Sequence, residues 1–131
     1  MQSTDGMTYA PKGKPTPVVK PGEFVFAAAF LDHGHIYGQC NGLIEAGAEL
    51  RYVYDPDPAR VANFCKTYPG VKPVESFERL LEDPSIRLIA AAAIPCDRGP
   101  IGCRVMNAGK DYFSDKTLFS DPHLTNVSIC R

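Results

Sequence analysis

The chain has 131 residues, enough for one domain with a real core and too few for two. Apolar residues make up 44% and charged residues 22%, the balance of an ordinary globular chain. A net charge of −1 removes the electrostatic case for nucleic acid or an anionic membrane as partner.

Residues 1–22 stand apart from the rest. Pro11, Pro15, Pro17 and Pro21 alternate with Lys12, Lys14 and Lys20. Prolines this dense block a helix and favour an extended path. The segment reads first as an unstructured tail, and second as an arm on a partner subunit or over a cofactor. No continuous apolar run marks it as an ordinary secretory signal.

From Phe24 the pattern alternates strand and helix. Residues 24–30 are an apolar strand, and 31–38 hold a glycine turn. A helix over 35–46 is stopped by Gly47. Residues 49–54 form a second strand, with Asp55 at its carboxyl end. Asp57 and Pro58 open a second helix as N-cap and first helical residue, with Val61, Ala62, Phe64 and Cys65 toward the sheet. A short strand follows at 71–74. Ser76 caps a short helix over 77–81. The unbroken apolar run 86–93 is what a central parallel strand covered on both faces requires. It is far too short to span a bilayer. A helix over 100–108 ends at Gly109, and 111–114 makes a fifth strand. Strands separated by helices imply right-handed crossovers and one parallel sheet, hence an α/β, doubly wound, three-layer domain.

Five cysteines (Cys40, Cys65, Cys96, Cys103 and Cys130) are scattered without a CxxC pair. That reads as a reducing, cytoplasmic setting rather than a disulfide framework. No metal site is expected, because paired ligand spacing is absent. His33 and His35 lie two apart, with no third ligand near.

The order strand, glycine turn, helix, strand, acid is the dinucleotide-binding arrangement. Glycines let the backbone approach a pyrophosphate, and a helix N-terminus offers free N–H groups and a positive dipole end. The glycine pattern is incomplete: Gly34 and Gly38 are present, but Asp32 stands where an early glycine belongs. Asp55 is placed to accept from both ribose hydroxyls, which favours NAD over NADP, while Arg60 on the following helix softens that preference. His33 and His35 either line the phosphate turn, or cap the helix and face solvent.

Residues 23–117 resemble the N-terminal Rossmann-like domain of the Gfo/Idh/MocA oxidoreductases. The carrying segments are His33-Gly34-His35-Ile36-Tyr37-Gly38, Tyr54-Asp55-Pro56-Asp57-Pro58-Ala59-Arg60, Ser76-Phe77-Glu78-Arg79-Leu80-Leu81, Ala93-Ile94-Pro95 and Gly109-Lys110-Asp111-Tyr112-Phe113-Ser114-Asp115-Lys116. The resemblance implies NAD or NADP as cofactor and hydride transfer on a sugar, polyol or related small alcohol. It places Asp32, His33, Gly34, His35, Ile36, Asp55, Arg60, Ile94, Pro95, Asp115 and Lys116 at the cofactor. Lys116 matches the family lysine beside the nicotinamide, which holds the substrate oxygen and relays its proton. An ammonium beside a developing alkoxide is sound chemistry for that step.

The sequence departs from the family at Thr117, where a proline is usual, and at Cys96, Asp97 and Arg98. Residues 118–131 match nothing in it. Family enzymes continue into a second domain that builds the substrate pocket and the oligomer interface. The chain therefore reads as an isolated or truncated nucleotide-binding domain, weakly active or inactive alone, able to form a homo-oligomer. The competing readings are a Rossmann-like domain of another enzyme class and a non-catalytic binding or interaction protein.

Overall fold

A computed structural model describes residues 15–119. Five strands form one parallel sheet in the order β3-β2-β1-β4-β5. They are β1 (Val25–Ala29), β2 (Glu49–Tyr54), β3 (Lys72–Pro73), β4 (Leu88–Ala91) and β5 (Asp111–Phe113). The helices between them are α1 (His35–Glu45), α2 (Pro58–Thr67), α3 (Phe77–Glu82) and α4 (Pro95–Asn107). The expected α/β three-layer sheet is the observed one.

Strand β1 shows why there are two cores. All five of its residues are buried. Because successive side chains point to opposite faces, Phe26 and Ala28 face one helical layer while Ala27 and Ala29 face the other. Phe26 and Ala28 pack with Ile36 and Cys40 of α1, Val53 of β2 and Phe64 of α2. Ala27 and Ala29 pack with Phe77 and Leu80 of α3, Ile89 of β4, and Ile101 and Val105 of α4. Small alanines at the centre let both layers approach the sheet closely.

Two N-terminal caps match the reading. The Asp57 carboxylate accepts from Ala59 N–H, and the Ser76 hydroxyl accepts from Arg79 N–H. On α2, however, Ala62 is exposed, and Phe64 is the side chain that is fully buried. Helix α4 begins five residues earlier than the expected 100–108. Pro95 is its first-turn proline, and Pro100 lies inside the helix. Two prolines can each claim the role of helix start, and the one following the end of β4 takes it.

The late part of the arm runs along the surface of the domain beside the end of α1. Val18 N–H donates to Ala46 C=O at 2.8 Å, and Val18, Val19 and Phe24 line a small apolar cavity with Leu43, Ala46 and Ala48. Gly47, with φ +102°, makes room for it: a Cβ there would lie 2.7 Å from the Val19 carbonyl oxygen. Pro15, Pro17 and Val18 stay exposed, and Val19 is half-buried. Pro11, Lys12, Lys14, Cys130 and most of the 118–131 tail lie outside the described residues.

Cys40, Cys65 and Cys96 are free thiols. Burial pushes the Cys40 thiol from its ordinary 9.0 up to about 12. Only the thiolate is nucleophilic. Iodoacetamide at mildly alkaline pH should therefore modify exposed Cys96 in the native protein and spare Cys40 until denaturant is added. Mass mapping of the adducts checks this, and rapid native labelling of Cys40 would contradict the packing under α1. Because its pKa is raised on folding, the stability Cys40 contributes as a thiol is complete below pH 9.0 and is lost as pH climbs toward about 12.

Candidate functional site

The chain runs outward from β1 through β2 to β3, then returns to add β4 and β5 on the other side. The order reverses between β1 and β4, and ligands of open α/β sheets bind outside the carboxyl ends of the strands at such a point. The loops leaving β1 and β4 are tied together there. His33 N–H donates to Ala92 C=O, and Ala92 N–H donates to Phe30 C=O, both at 3.1 Å.

Phe30 opens the first loop with φ +55°, in the left-handed region. Such a conformation costs a non-glycine residue roughly 1–3 kcal/mol. Edge-on contacts to Phe77 at 4.9 Å and Tyr54 at 5.7 Å oppose that cost. The tight turn sought in the glycines is thus made by an aromatic residue, which motif reading cannot detect. Gly34 is the N-cap of α1 with φ −61°, an ordinary right-handed conformation. Its use is space rather than backbone freedom, because a Cβ built there meets nothing within 4 Å. Gly38 lies within α1, not in the turn.

Two helix N-termini face the reversal point. Neither α1 nor α4 has a side-chain cap. Ile36, Tyr37 and Asp97 donate back to the His33, Gly34 and Ile94 carbonyls, which leaves the His35 amide of α1 and the Cys96 amide of α4 for an outside acceptor. At α4 the residues Ile94, Pro95, Cys96 and Asp97 are exposed. Arg98 is buried and donates from Nε to Ala93 C=O at 2.8 Å, fastening α4 to the end of β4. Gly102 accommodates the Tyr112 ring against α4, where a Cβ would come within 2.6 Å of it. Ile36 is 1% exposed and belongs to the core; its amide turns back to His33 C=O. It shapes the loop from below.

Asp55 is placed differently from the expectation. Its side chain is 0% exposed. Oδ2 accepts from Leu31 N–H at 2.6 Å, and Oδ1 accepts from Asp57 N–H at 2.8 Å. The carboxylate is therefore engaged in holding the β1 loop onto the β2 exit. Arg60 reaches across to the same place. Its Nη1 lies 2.7 Å from Asp32 Oδ1 and 3.8 Å from Asp55 Oδ1, and its Nε lies 3.7 Å from Asp57 Oδ2. The hydrogen bond with Asp32 raises the Arg60 pKa further.

The exit of β5 meets the start of α1. His35 Nδ1 stands 4.0 Å from Asp115 Oδ2, and Lys116 Nζ stands 3.7 Å from that same oxygen. Gln39, one turn further along α1, donates from Nε2 toward the carbonyls of Ala91 and Phe113. Gln39 fastens α1 to the ends of β4 and β5, a role no motif announced. Gln39 Oε1 and His33 Nε2 are buried without a hydrogen-bond partner among the described residues. His33 and His35 are near neighbours, with ring centroids 5.7 Å apart. Among the described residues no group of three or more metal-binding side chains is assembled, and no helix is long and apolar enough to cross a membrane.

No protein-family model matches the chain, and neither does any curated protein. Solved structures do. A protein of Erwinia carotovora atroseptica SCRI1043 described as an oxidoreductase is 44% identical, with a TM-score of 0.73, over 77% of this chain and 30% of its own. GenD2 from gentamicin A biosynthesis, solved with NAD, is 19% identical, with a TM-score of 0.64, over 79% of this chain and 28% of its own. Biliverdin reductase of Synechocystis sp. PCC 6803, solved with biliverdin and NADP+, is 23% identical, with a TM-score of 0.63, over 75% of this chain and 30% of its own. The fold is that of the N-terminal nucleotide-binding domain of Gfo/Idh/MocA-type oxidoreductases. This chain spans under a third of the length of each of these relatives.

Proposed function

We propose that this chain binds a nicotinamide dinucleotide across the carboxyl ends of β1 and β4. It would serve as the nucleotide-binding part of an oxidoreductase acting on a sugar, polyol or related small alcohol. The observation that carries the reading is the pair of uncapped helix N-termini at the reversal point, with open space above Gly34. A pyrophosphate fits such a place, because it offers charge to the dipole and acceptors to the amides. The relatives solved with NAD and with NADP+ support the same cofactor class.

In this reading Gly34 and His35 meet the pyrophosphate, with Asp32 and His33 beside it. Ile36 and Asp55 support the loop from beneath. Ile94 and Pro95 face the nicotinamide half, and Asp115 orients Lys116. The cofactor, when bound, supplies the hydride acceptor. Lys116 holds the substrate hydroxyl and takes part in moving its proton, as an ammonium within hydrogen-bond reach can. NAD is favoured over NADP, because carboxylates crowd the end of β2.

Titration with NADH tests the binding step. The chain has 6 tyrosines and no tryptophan, so transfer from tyrosine to bound nicotinamide has a clean baseline. Saturable transfer is expected. A folded chain that shows none at millimolar NADH would refute the reading. Where a substrate-binding domain is supplied, fused or in trans, Lys116→Ala should lower alcohol turnover by about 10²-fold or more, with NADH affinity little changed. Undiminished turnover would remove Lys116 from the chemistry.

A further inference from the structure

Three carboxylates and one guanidinium meet where β2 ends, and they are not equivalent. Asp55 spends both oxygens on backbone amides in a side chain with no exposure. Asp57 caps α2 through Oδ1. Asp32 has one partner among the described residues, the Arg60 guanidinium, and both side chains are solvent-accessible, at 23% and 42%. Arg60 also sits in the first turn of α2, where the helix dipole disfavours a cation. It is held there by the acids around it, chiefly Asp32.

Resting on the nucleotide-binding reading above, we propose that discrimination between NAD and NADP is made by the Asp32–Arg60 pair, with Asp55 as a support for the loop. Asp32 is the accessible acid on the β1 loop itself, next to the N-terminus of α1, and it can offer its carboxylate to the adenosine ribose hydroxyls; Asp57, at 47% exposed, belongs to the α2 cap and spends Oδ1 on it. A 2′-phosphate brought there meets Asp32, Asp55 and Asp57 against a guanidinium already engaged by Asp32. That guanidinium is nonetheless well suited to phosphate, which it binds through two parallel N–H donors when free. Removing the Asp32 charge both lifts a repulsion and releases the fork. Specificity of this kind rests on what opposes the wrong ligand as much as on what holds the right one.

The experiment measures dissociation constants for NADH and NADPH by calorimetry on the whole chain, for the wild type and a set of variants. The wild type should prefer NADH. Asp32→Asn should shift the NADH-to-NADPH affinity ratio toward NADPH by about tenfold or more. Adding Arg60→Ala to it should remove the gain for NADPH. Asp55→Asn should lower the Tm and weaken both dinucleotides in parallel, leaving their ratio near that of the wild type. The proposal is overturned if Asp32→Asn leaves the ratio unmoved, if the ratio follows Asp55→Asn instead, or if the wild type prefers NADPH. Should Asp55→Asn fail to fold, Asp32→Asn and its double variant decide alone, since both positions are partly exposed. A folded wild type that binds neither dinucleotide refutes the nucleotide-binding reading itself. Binding of both with an unmoved ratio refutes only the assignment to Asp32 and Arg60.

Discussion

Gly34→Val is expected to weaken dinucleotide binding by more than about tenfold while leaving the fold intact. The two halves of this expectation have separate causes. Gly34 has φ −61° and ψ −13°, which valine can adopt, and its Cβ direction meets nothing within 4 Å. The apo protein therefore has no clash to relieve. The remaining cost is that valine is a poor N-cap, about 1 kcal/mol or less relative to glycine. In the proposed complex the same open space is needed by the pyrophosphate, an oxygen of which must come within hydrogen-bond distance of the His35 amide at the start of α1. A branched side chain there holds it off. Calorimetry with NADH and a thermal melt of the same sample read the two halves together. Normal affinity in a folded variant would place the pyrophosphate elsewhere. Loss of the fold would contradict the open geometry at the N-cap.

Asp55→Ala is expected to lower the unfolding free energy by about 2–5 kcal/mol, from two lost hydrogen bonds to a charged acceptor and two amides left without one. Leu31 N–H and Asp57 N–H both point at this carboxylate, and Asp55 is 6% exposed, so water cannot readily replace it. Against a typical domain stability of roughly 5–15 kcal/mol this is a large fraction. It should also loosen the β1 loop and so weaken binding of either dinucleotide. Urea denaturation measures the stability change. A loss below about 1 kcal/mol would mean that the two amides find other partners.

Asp55 shows how far a motif reaches. Its position after β2 was visible because strand, helix and strand announce themselves through apolar runs and stop signals. Its burial was not, since that depends on where the β1 loop passes. The same division holds at Phe30. An aromatic residue after a strand gives no sign of a positive φ, and only the packing of Tyr54 and Phe77 around it makes that conformation tenable. The start of α4 was misplaced because local rules allow a proline both at a helix start and, at a cost, inside one. Contacts of Arg98 and Gly102 with the ends of β4 and β5 settle which.

From composition and periodicity alone come the parallel sheet, the α/β layering, the bounds of β2 and the caps at Asp57 and Ser76. These depend on side chains acting within a turn or two of their own backbone, or on whether a strand is covered on both faces. The grouping of Asp32 with Arg60, of His35 with Asp115 and Lys116, and the anchoring of β4 and β5 by Gln39 come from the tertiary structure. Each joins residues far apart in the chain that meet only once the sheet order is established. Patterns read along a chain carry the period of its elements, and they carry no distances between side chains on different elements.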